Sequence, residues 1–115
     1  MENNQTMKAS ELRIGNYLKR DVVVKIDARS IFDIWEETKE YQPIPLTEEW
    51  LLRMGFDKKF NKGVLSIIPK GRLGYENGRT YFNSWAILES QPEYVHQLQN
   101  LYFALTNQEL EIKES

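Results

Sequence analysis

The sequence predicts a single α+β domain in which an antiparallel β-meander packs against a C-terminal amphipathic helix. Three patterns indicate this fold: short β-prone segments separated by turn residues over 56–88, a helical periodicity of apolar residues near the C-terminus, and a capped short helix near 47–54. A chain of 115 residues, 41% of them apolar, is long enough to bury one core. We expect residues 8–115 to form this domain and residues 1–7 to be a flexible polar leader.

The N-terminal third is expected to contain a group of strands. Gly15-Asn16 is a turn signal before a β-prone run, and the β-branched residues Val22–Val24 with Ile26 predict the next strand. We interpret Ile31–Trp35 as a third strand, with acidic residues directly after it. An SH3-like curl of these strands is one arrangement that the sequence allows, and it leaves barrel closure open.

A short helix is predicted after an extended connector at residues 42–45, where Pro45 disfavours helical geometry in the preceding residue. Thr47 is a good N-cap, and Glu48 and Glu49 follow in the first turn, where the helix dipole favours negative charge. Gly55 is placed to end the helix in a left-handed conformation. We therefore expect a helix over residues 48–54.

Two hairpins are predicted in the meander. A loop at 61–63 separates the segments 56–60 and 64–68, and Asn77-Gly78 favours a type I′ turn between two further strands. The second register places Glu76 opposite Arg79, Gly74 opposite Tyr81 and Leu73 opposite Phe82. We expect the last of these strands to continue through Trp85 to Leu88.

The C-terminal helix is predicted from a capping box, with Ser90 as the N-cap and Glu93 three residues later. Its apolar residues recur at spacings of three and four up to Leu105, and they are Tyr94, Val95, Leu98, Leu101, Tyr102 and Leu105. His96 falls on the predicted polar face. Thr106-Asn107 should end the helix, and Leu110–Lys113 is a candidate for a last short strand.

The residue inventory argues against most catalytic chemistry. The absence of cysteine excludes disulfides and thiolate zinc sites. The single histidine, His96, is more simply a surface or capping residue than a metal ligand, and no serine lies in a Gly-x-Ser-x-Gly elbow. Gly71–Gly74 lacks the spacing of a phosphate-binding loop. We expect no catalytic residue, no metal and no cofactor.

Location is predicted from what the sequence lacks. No window approaches the roughly 20 apolar residues that a membrane helix requires. Met1–Ser10 has no apolar signal core. The sequence therefore predicts a soluble, cytoplasmic protein with no membrane partner.

A basic segment suggests one binding function. Residues 50–80 contain seven basic and two acidic side chains, next to aromatic residues that are suited to base stacking. Opposing this, the whole chain carries a net charge of −2, whereas nucleic-acid-binding domains are usually basic. The candidate contacts to a single-stranded nucleic acid are Lys58, Lys59, Lys62, Lys70, Arg72 and Arg79.

Aromatic composition favours a different function. Three tryptophans and six tyrosines are many for this length, and such residues are enriched at interface hot spots, although core filling would also explain them. Trp35, among acids, and Phe103, off the apolar stripe of its helix, are the two expected to be exposed at an interface. The leading hypothesis is a non-catalytic protein-interaction module that binds another protein or itself. The alternative is a single-stranded nucleic-acid-binding protein that uses the hairpins of residues 56–82.

Three blocks carry a resemblance to a known family: Glu11–Asn16, Pro43–Phe56 and Tyr94–Thr106. They resemble a family of small uncharacterised proteins found in prophage-like regions of gut anaerobic bacteria. Members typically follow the last helix with Thr-Gly, whereas this chain has Thr106-Asn107. The resemblance implies the same fold outline and an intracellular location, and it implies no activity, cofactor or catalytic residue. An accessory role in a mobile element belongs to the leading hypothesis of an interaction module.

Overall fold

The fold is α+β, as the sequence predicts, and the described residues form a two-stranded and a five-stranded antiparallel sheet besides helices. The structure, a computed structural model, describes the following residues: 8–61, 64–67, 73–76, 79–82, 86–87 and 92–113. The elements, after a 3₁₀ turn at Ala9–Glu11, are β1 Tyr17–Lys19, β2 Val23–Lys25, α1 Ala28–Trp35, α2 Glu48–Arg53, β3 Asp57–Asn61, β4 Val64–Ile67, β5 Leu73–Glu76, β6 Arg79–Phe82, β7 Ala86–Ile87 and α3 Val95–Thr106.

The chain divides into two compact units. The first, called the N-terminal unit, comprises the described residues up to Pro45 together with Glu93–Glu109, and the second, called the meander unit, comprises Leu46–Pro92 and the residues from Leu110 onward. The expectation that residues 8–115 form one domain stays a prediction. The expected leader at residues 1–7 lies outside the described residues.

The N-terminal unit begins with the predicted turn and hairpin. Gly15 has φ +98°, which glycine adopts without the penalty that a Cβ would bring, and its N–H donates to the Ile26 carbonyl at 2.9 Å. β1 and β2 pair antiparallel with Leu18 opposite Val24. The N-terminal strands therefore form a two-stranded hairpin, and no third strand joins them to make an SH3-like curl in the described part of this sheet.

The predicted strand at Ile31–Trp35 is wrong, because these residues belong to the helix α1. Their inward side chains, Ile31 and Ile34, pack at helical spacing on a core cluster that the described residues Leu12, Leu18 and Ile26 form. The β-prone composition of the segment was overridden by a local cap and by this tertiary packing.

The meander unit begins with the predicted short helix. The Thr47 hydroxyl accepts a hydrogen bond from the Trp50 N–H at 3.3 Å, and Gly55 ends the helix with φ +103°. The Phe56 N–H then donates to the Leu51 carbonyl at 3.0 Å, which closes the last turn. The cap, the acidic first turn and the glycine stop of α2 are thus confirmed.

The five strands β3 to β7 form a meander in sequence order. The predicted backbone register of Glu76 with Arg79 and of Gly74 with Tyr81 is confirmed, and so is the pairing of β3 with β4. The prediction of one continuous strand to Leu88 is wrong, because Ala86–Ile87 returns antiparallel to β6 as β7. Trp85 and Leu88 themselves lie outside the described residues. The turn at Asn77-Gly78 lies outside the described residues.

α3 begins later than predicted. Tyr94 is still extended and bridges to Pro45, and the Val95 N–H donates to the Ile44 carbonyl at 2.8 Å. The Gln97 side chain accepts hydrogen bonds from the N–H groups of both Glu93 and Tyr94, so it does the capping that Ser90 was expected to do. Ser90 lies outside the described residues.

The C-terminal end of α3 follows the prediction. Asn107 adopts the left-handed conformation at φ 62° and ends the helix. Beyond it, the described residues Leu110–Lys113 form no strand, although Leu110 is buried. The predicted last strand is therefore wrong.

α3 packs against β1, and a buried glutamine of α3 forms hydrogen bonds to the backbone at the start of β1. Gln99 is a polar residue, but only 1% of its surface is exposed. Its carbonyl oxygen accepts from the Tyr17 N–H at 2.8 Å, and its amide donates to the Gly15 carbonyl at 3.0 Å. This amide completes the backbone hydrogen bonding of the turn before β1. The expected packing of α3 on the meander stays a prediction.

Replacing Gln99 should destabilise the fold. Gln99→Ala leaves the buried Tyr17 N–H and the partly buried Gly15 carbonyl without this partner, so we expect the free energy of unfolding to fall by about 2–4 kcal/mol. Urea denaturation followed by circular dichroism measures this change. Gln108→Ala, at an exposed glutamine, is the control and should change stability by less than about 0.5 kcal/mol. An equally small loss for both variants would contradict the role given to Gln99.

Candidate protein-interaction surface

α1 forms because a capping box encloses its first turn. The Asp27 carboxylate accepts from the Ser30 N–H at 2.9 Å, and the Asp27 N–H donates to the Ser30 hydroxyl at 3.2 Å. Hydrogen bonds from the backbone and the hydroxyl of Ser30 lower the pKa of Asp27 below its ordinary value. The carboxylate is therefore ionised at neutral pH, where it interacts favourably with the helix dipole.

The two faces of α1 are both apolar, and only one of them is covered. Ile31 and Ile34 pack against the core cluster, whereas Phe32 and Trp35 lie on the solvent side with 50% and 67% of their surface exposed. The two exposed rings contact each other, with centroids 6.2 Å apart and planes tilted by 54°. Together they form an exposed aromatic pair, a feature that marks interaction sites more often than isolated apolar residues do.

A buried carboxylate holds both basic side chains of this segment. Asp33 is buried, and its two oxygens pair with Arg29 Nε at 3.3 Å and Lys39 Nζ at 3.6 Å. These two are the only basic residues between positions 28 and 40. Their charges offset the desolvation of Asp33.

The end of α1 is closed by a Schellman motif with an unusual residue in it. The Thr38 N–H donates to the Asp33 carbonyl, and the Glu37 N–H donates to the Ile34 carbonyl. Glu37 takes the left-handed position at φ 60°, where glycine is usual and where another residue is strained by roughly 1 kcal/mol. The structure therefore holds a carboxylate at a backbone position that disfavours it.

Three exposed acids follow the aromatic pair, and they are Glu36, Glu37 and Glu40. None of them has an ion-pair partner within the part of the chain that the structure describes. Glu36 is four residues after Phe32 and its N–H donates to the Phe32 carbonyl, so both lie on one side of the helix. The surface that comprises Phe32, Trp35, Glu36 and Glu37 is called the α1 face below.

The sequence prediction found half of the aromatic pair. Trp35 is exposed as expected, whereas Phe32 was missed because a strand interpretation does not place these two residues together. Phe103 is partly buried, because the Arg13 guanidinium lies 3.9 Å from its ring centroid. Arg13 also pairs with Glu109. The expected exposure of Phe103 is thus wrong, and its part in an interface stays a prediction. Asp27 and Ser30, three residues apart, were the sequence signal that could have found the helix.

The predicted basic surface is described only in part. Lys58 is exposed on β3 and lies 4.0 Å from a Glu48 carboxylate oxygen. Lys59 and Arg79 lie on β3 and β6, which belong to the same sheet. The other three candidates, Lys62, Lys70 and Arg72, lie outside the described residues.

His96 is not the surface residue that the sequence suggested. It is 1% exposed, its Nε2 lies 3.1 Å from a Glu11 carboxylate oxygen, and its Nδ1 has no hydrogen-bond partner among the described residues. Burial raises the pKa of Glu11, but hydrogen bonds from His96 and from the Lys8 N–H outweigh this, so the pKa lies below its ordinary value. Among the described side chains, no three His, Cys, Asp or Glu residues cluster as metal ligands would. This pair tethers α3 to the 3₁₀ turn.

Comparisons of the chain with protein-family models, with curated proteins and with solved structures find no significant match. Within the described ranges, no helix combines the length and apolarity that crossing a membrane requires.

The two faces of α1 should respond differently to truncation. Ile34→Ala removes a side chain that packs on the core cluster, so we expect the free energy of unfolding to fall by about 2 kcal/mol. Phe32→Ala and Trp35→Ala should each lower it by no more than about 1 kcal/mol, because both rings are largely in solvent. Urea denaturation of the three variants tests this. A loss at Trp35 as large as that at Ile34 would show that the aromatic pair is structural.

Proposed function

We propose that this protein is a non-catalytic protein-interaction module whose contact surface is the α1 face. The observation that carries the proposal is the exposed aromatic pair of Phe32 and Trp35, which lies on the part of α1 that the core cluster leaves uncovered. Tryptophan is among the residue types that dominate interface hot spots. An aromatic ring that covers no core residue has no role in stability that would explain its position.

The energetics of the pair also favour a binding role. Covering a large apolar side chain stabilises a complex by roughly 1.5–3 kcal/mol, and Phe32 and Trp35 are neighbours that one partner can cover together. Helix α1 is fixed by a cap at one end and a Schellman motif at the other, so the pair is presented with little conformational freedom to lose. In a mobile element, such a module would act as an accessory protein.

A photocrosslinking experiment tests the surface. p-Benzoylphenylalanine at position 32, in the full chain expressed in its native cells, should give a major adduct with one partner because the ring lies at the contact. The adduct should be lost when Trp35→Ala is added. The same label at Leu52 of α2, which is 53% exposed, is the matched control and should not give that adduct.

The mass of the adduct identifies the kind of partner. An adduct of twice the chain mass would show self-association, and any other discrete mass would show a different protein. Identical adducts from positions 32 and 52, or an adduct that is unaffected by Trp35→Ala, would contradict the proposed surface.

Single-stranded nucleic-acid binding is the alternative proposal, and the exposure of Lys58 on β3 favours it. It predicts that the chain retains a fluorescent single-stranded oligonucleotide at low salt and releases it as salt rises. Changing Lys58, Lys59 and Arg72 to glutamate should weaken this binding, whereas Lys19→Glu on β1 should have a smaller effect. Fluorescence anisotropy measures both, and no retention at low salt would remove the alternative.

A further inference from the structure

We infer that the partner of the α1 face is a cationic polypeptide segment, with an arginine or lysine that stacks on Trp35 and pairs with Glu36 and Glu37. The inference rests on the proposed function and adds the chemistry of the partner. Three independent features of the α1 face support it: the balance of its charges, the position of its acids on the helix, and the backbone strain at Glu37.

The charge balance around the α1 face favours acids. The buried Asp33 pairs with Arg29 and Lys39, whose side chains are 79% and 49% exposed, and four acids against two bases give residues 28–40 a net charge of −2. Within the described part of the chain, Glu36 and Glu37 are left without an opposite charge. The exposed surface beside the aromatic pair is therefore anionic, and the complementary partner is cationic.

The acids also lie at the wrong end of the helix for stability. Carboxylates are unfavourable near a helix C-terminus, where the unpaired carbonyls already carry partial negative charge, and α1 has no basic residue in its last turn. A cation bound there would interact with the carboxylates, with the helix dipole and with the indole face of Trp35 at once. Arginine suits all three, because its planar guanidinium stacks on aromatic rings and pairs with carboxylates in two-point geometry.

Backbone strain at Glu37 gives the third argument. Glycine at this left-handed position would remove both the strain and one unfavourable charge. Stability alone therefore favours glycine here, and the carboxylate is explained by a contact that the free protein does not make. This predicts an opposition between stability and binding at one residue.

A random 12-residue peptide library displayed on phage is the probe for the partner class. Selection on the full chain, with removal of peptides that also bind the Trp35→Ala variant, should enrich arginine and lysine together with apolar residues. A synthetic peptide with the enriched sequence should then bind the wild-type chain in fluorescence anisotropy, with an affinity that falls as salt rises.

Variants of the chain measure how much the carboxylates of the α1 face contribute to peptide binding. Glu37→Gly should raise the thermal midpoint by a few degrees and weaken peptide binding roughly tenfold, and Glu36→Gln should weaken binding similarly. Glu49→Gln, at an exposed acid on α2, is the control and should leave the affinity unchanged. A merely structural role for Glu37 would move stability and binding in the same direction.

The remaining outcomes overturn the inference in distinguishable ways. Peptides that depend on Trp35 but are neutral or acidic, and that are insensitive to Glu36→Gln, would reject a cationic partner and leave the proposed function standing. Failure to recover any peptide that depends on Trp35 would reject both. Sedimentation showing a dimer of the wild-type chain that Trp35→Ala makes monomeric would assign the α1 face to a second copy and reject the cationic segment.

Discussion

The N-terminal unit depends on how a small core joins a helix to a short hairpin. Each strand of that hairpin has three residues, too few to supply a sheet face of its own. The buried amide of Gln99 supplies additional hydrogen bonds to this short hairpin, because it contacts the backbone on both sides of Asn16. Because a buried amide is favourable only when its partners are placed accurately, this contact also fixes the direction in which the chain leaves the turn.

Part of the surface of α1 does not pack against the N-terminal unit. Ile31 and Ile34 cover the core cluster, so only one side of this eight-residue helix packs against the protein. The aromatic side chains of the helix, Phe32 and Trp35, remain exposed to solvent. The buried Asp33 makes two kinds of contact. Its carboxylate pairs with Arg29 and Lys39, and its carbonyl accepts a hydrogen bond from the Thr38 N–H at the end of the helix. The aromatic character of the α1 face is therefore a consequence of how the helix is attached, and its anionic character follows from the excess of acids over basic residues in 28–40.

Prediction from sequence succeeded where local signals and tertiary packing agree. The cap and glycine stop of α2 and the register of β5 with β6 are set by residues within a few positions of each other, so they could be predicted. Ile31–Trp35 was assigned to a strand because its composition is β-prone, while the competing signal of Asp27 with Ser30 lies just outside that window. The burial of His96 and Gln99 could not be predicted, since their partners Glu11 and Tyr17 are more than 80 residues away in sequence. Of the candidate site, only Trp35 was predictable for the right reason, its position among acids.

The α1 face combines features that are individually unfavourable in a free protein: an exposed aromatic pair, carboxylates at the negative end of a helix dipole, and a strained non-glycine residue. Any one of them could be tolerated, since each costs on the order of 1 kcal/mol or less. Stability does not explain why all three features occur within six residues, because Phe32, Trp35 and Glu37 contribute little to the core. Glu37→Gly would relieve the backbone strain, and Glu36→Gln would reduce the repulsion between carboxylates and the helix dipole. A partner that is both cationic and apolar would cover the exposed aromatic rings and neutralise the repelling carboxylates at the same time. One binding event therefore accounts for both unfavourable features of the α1 face.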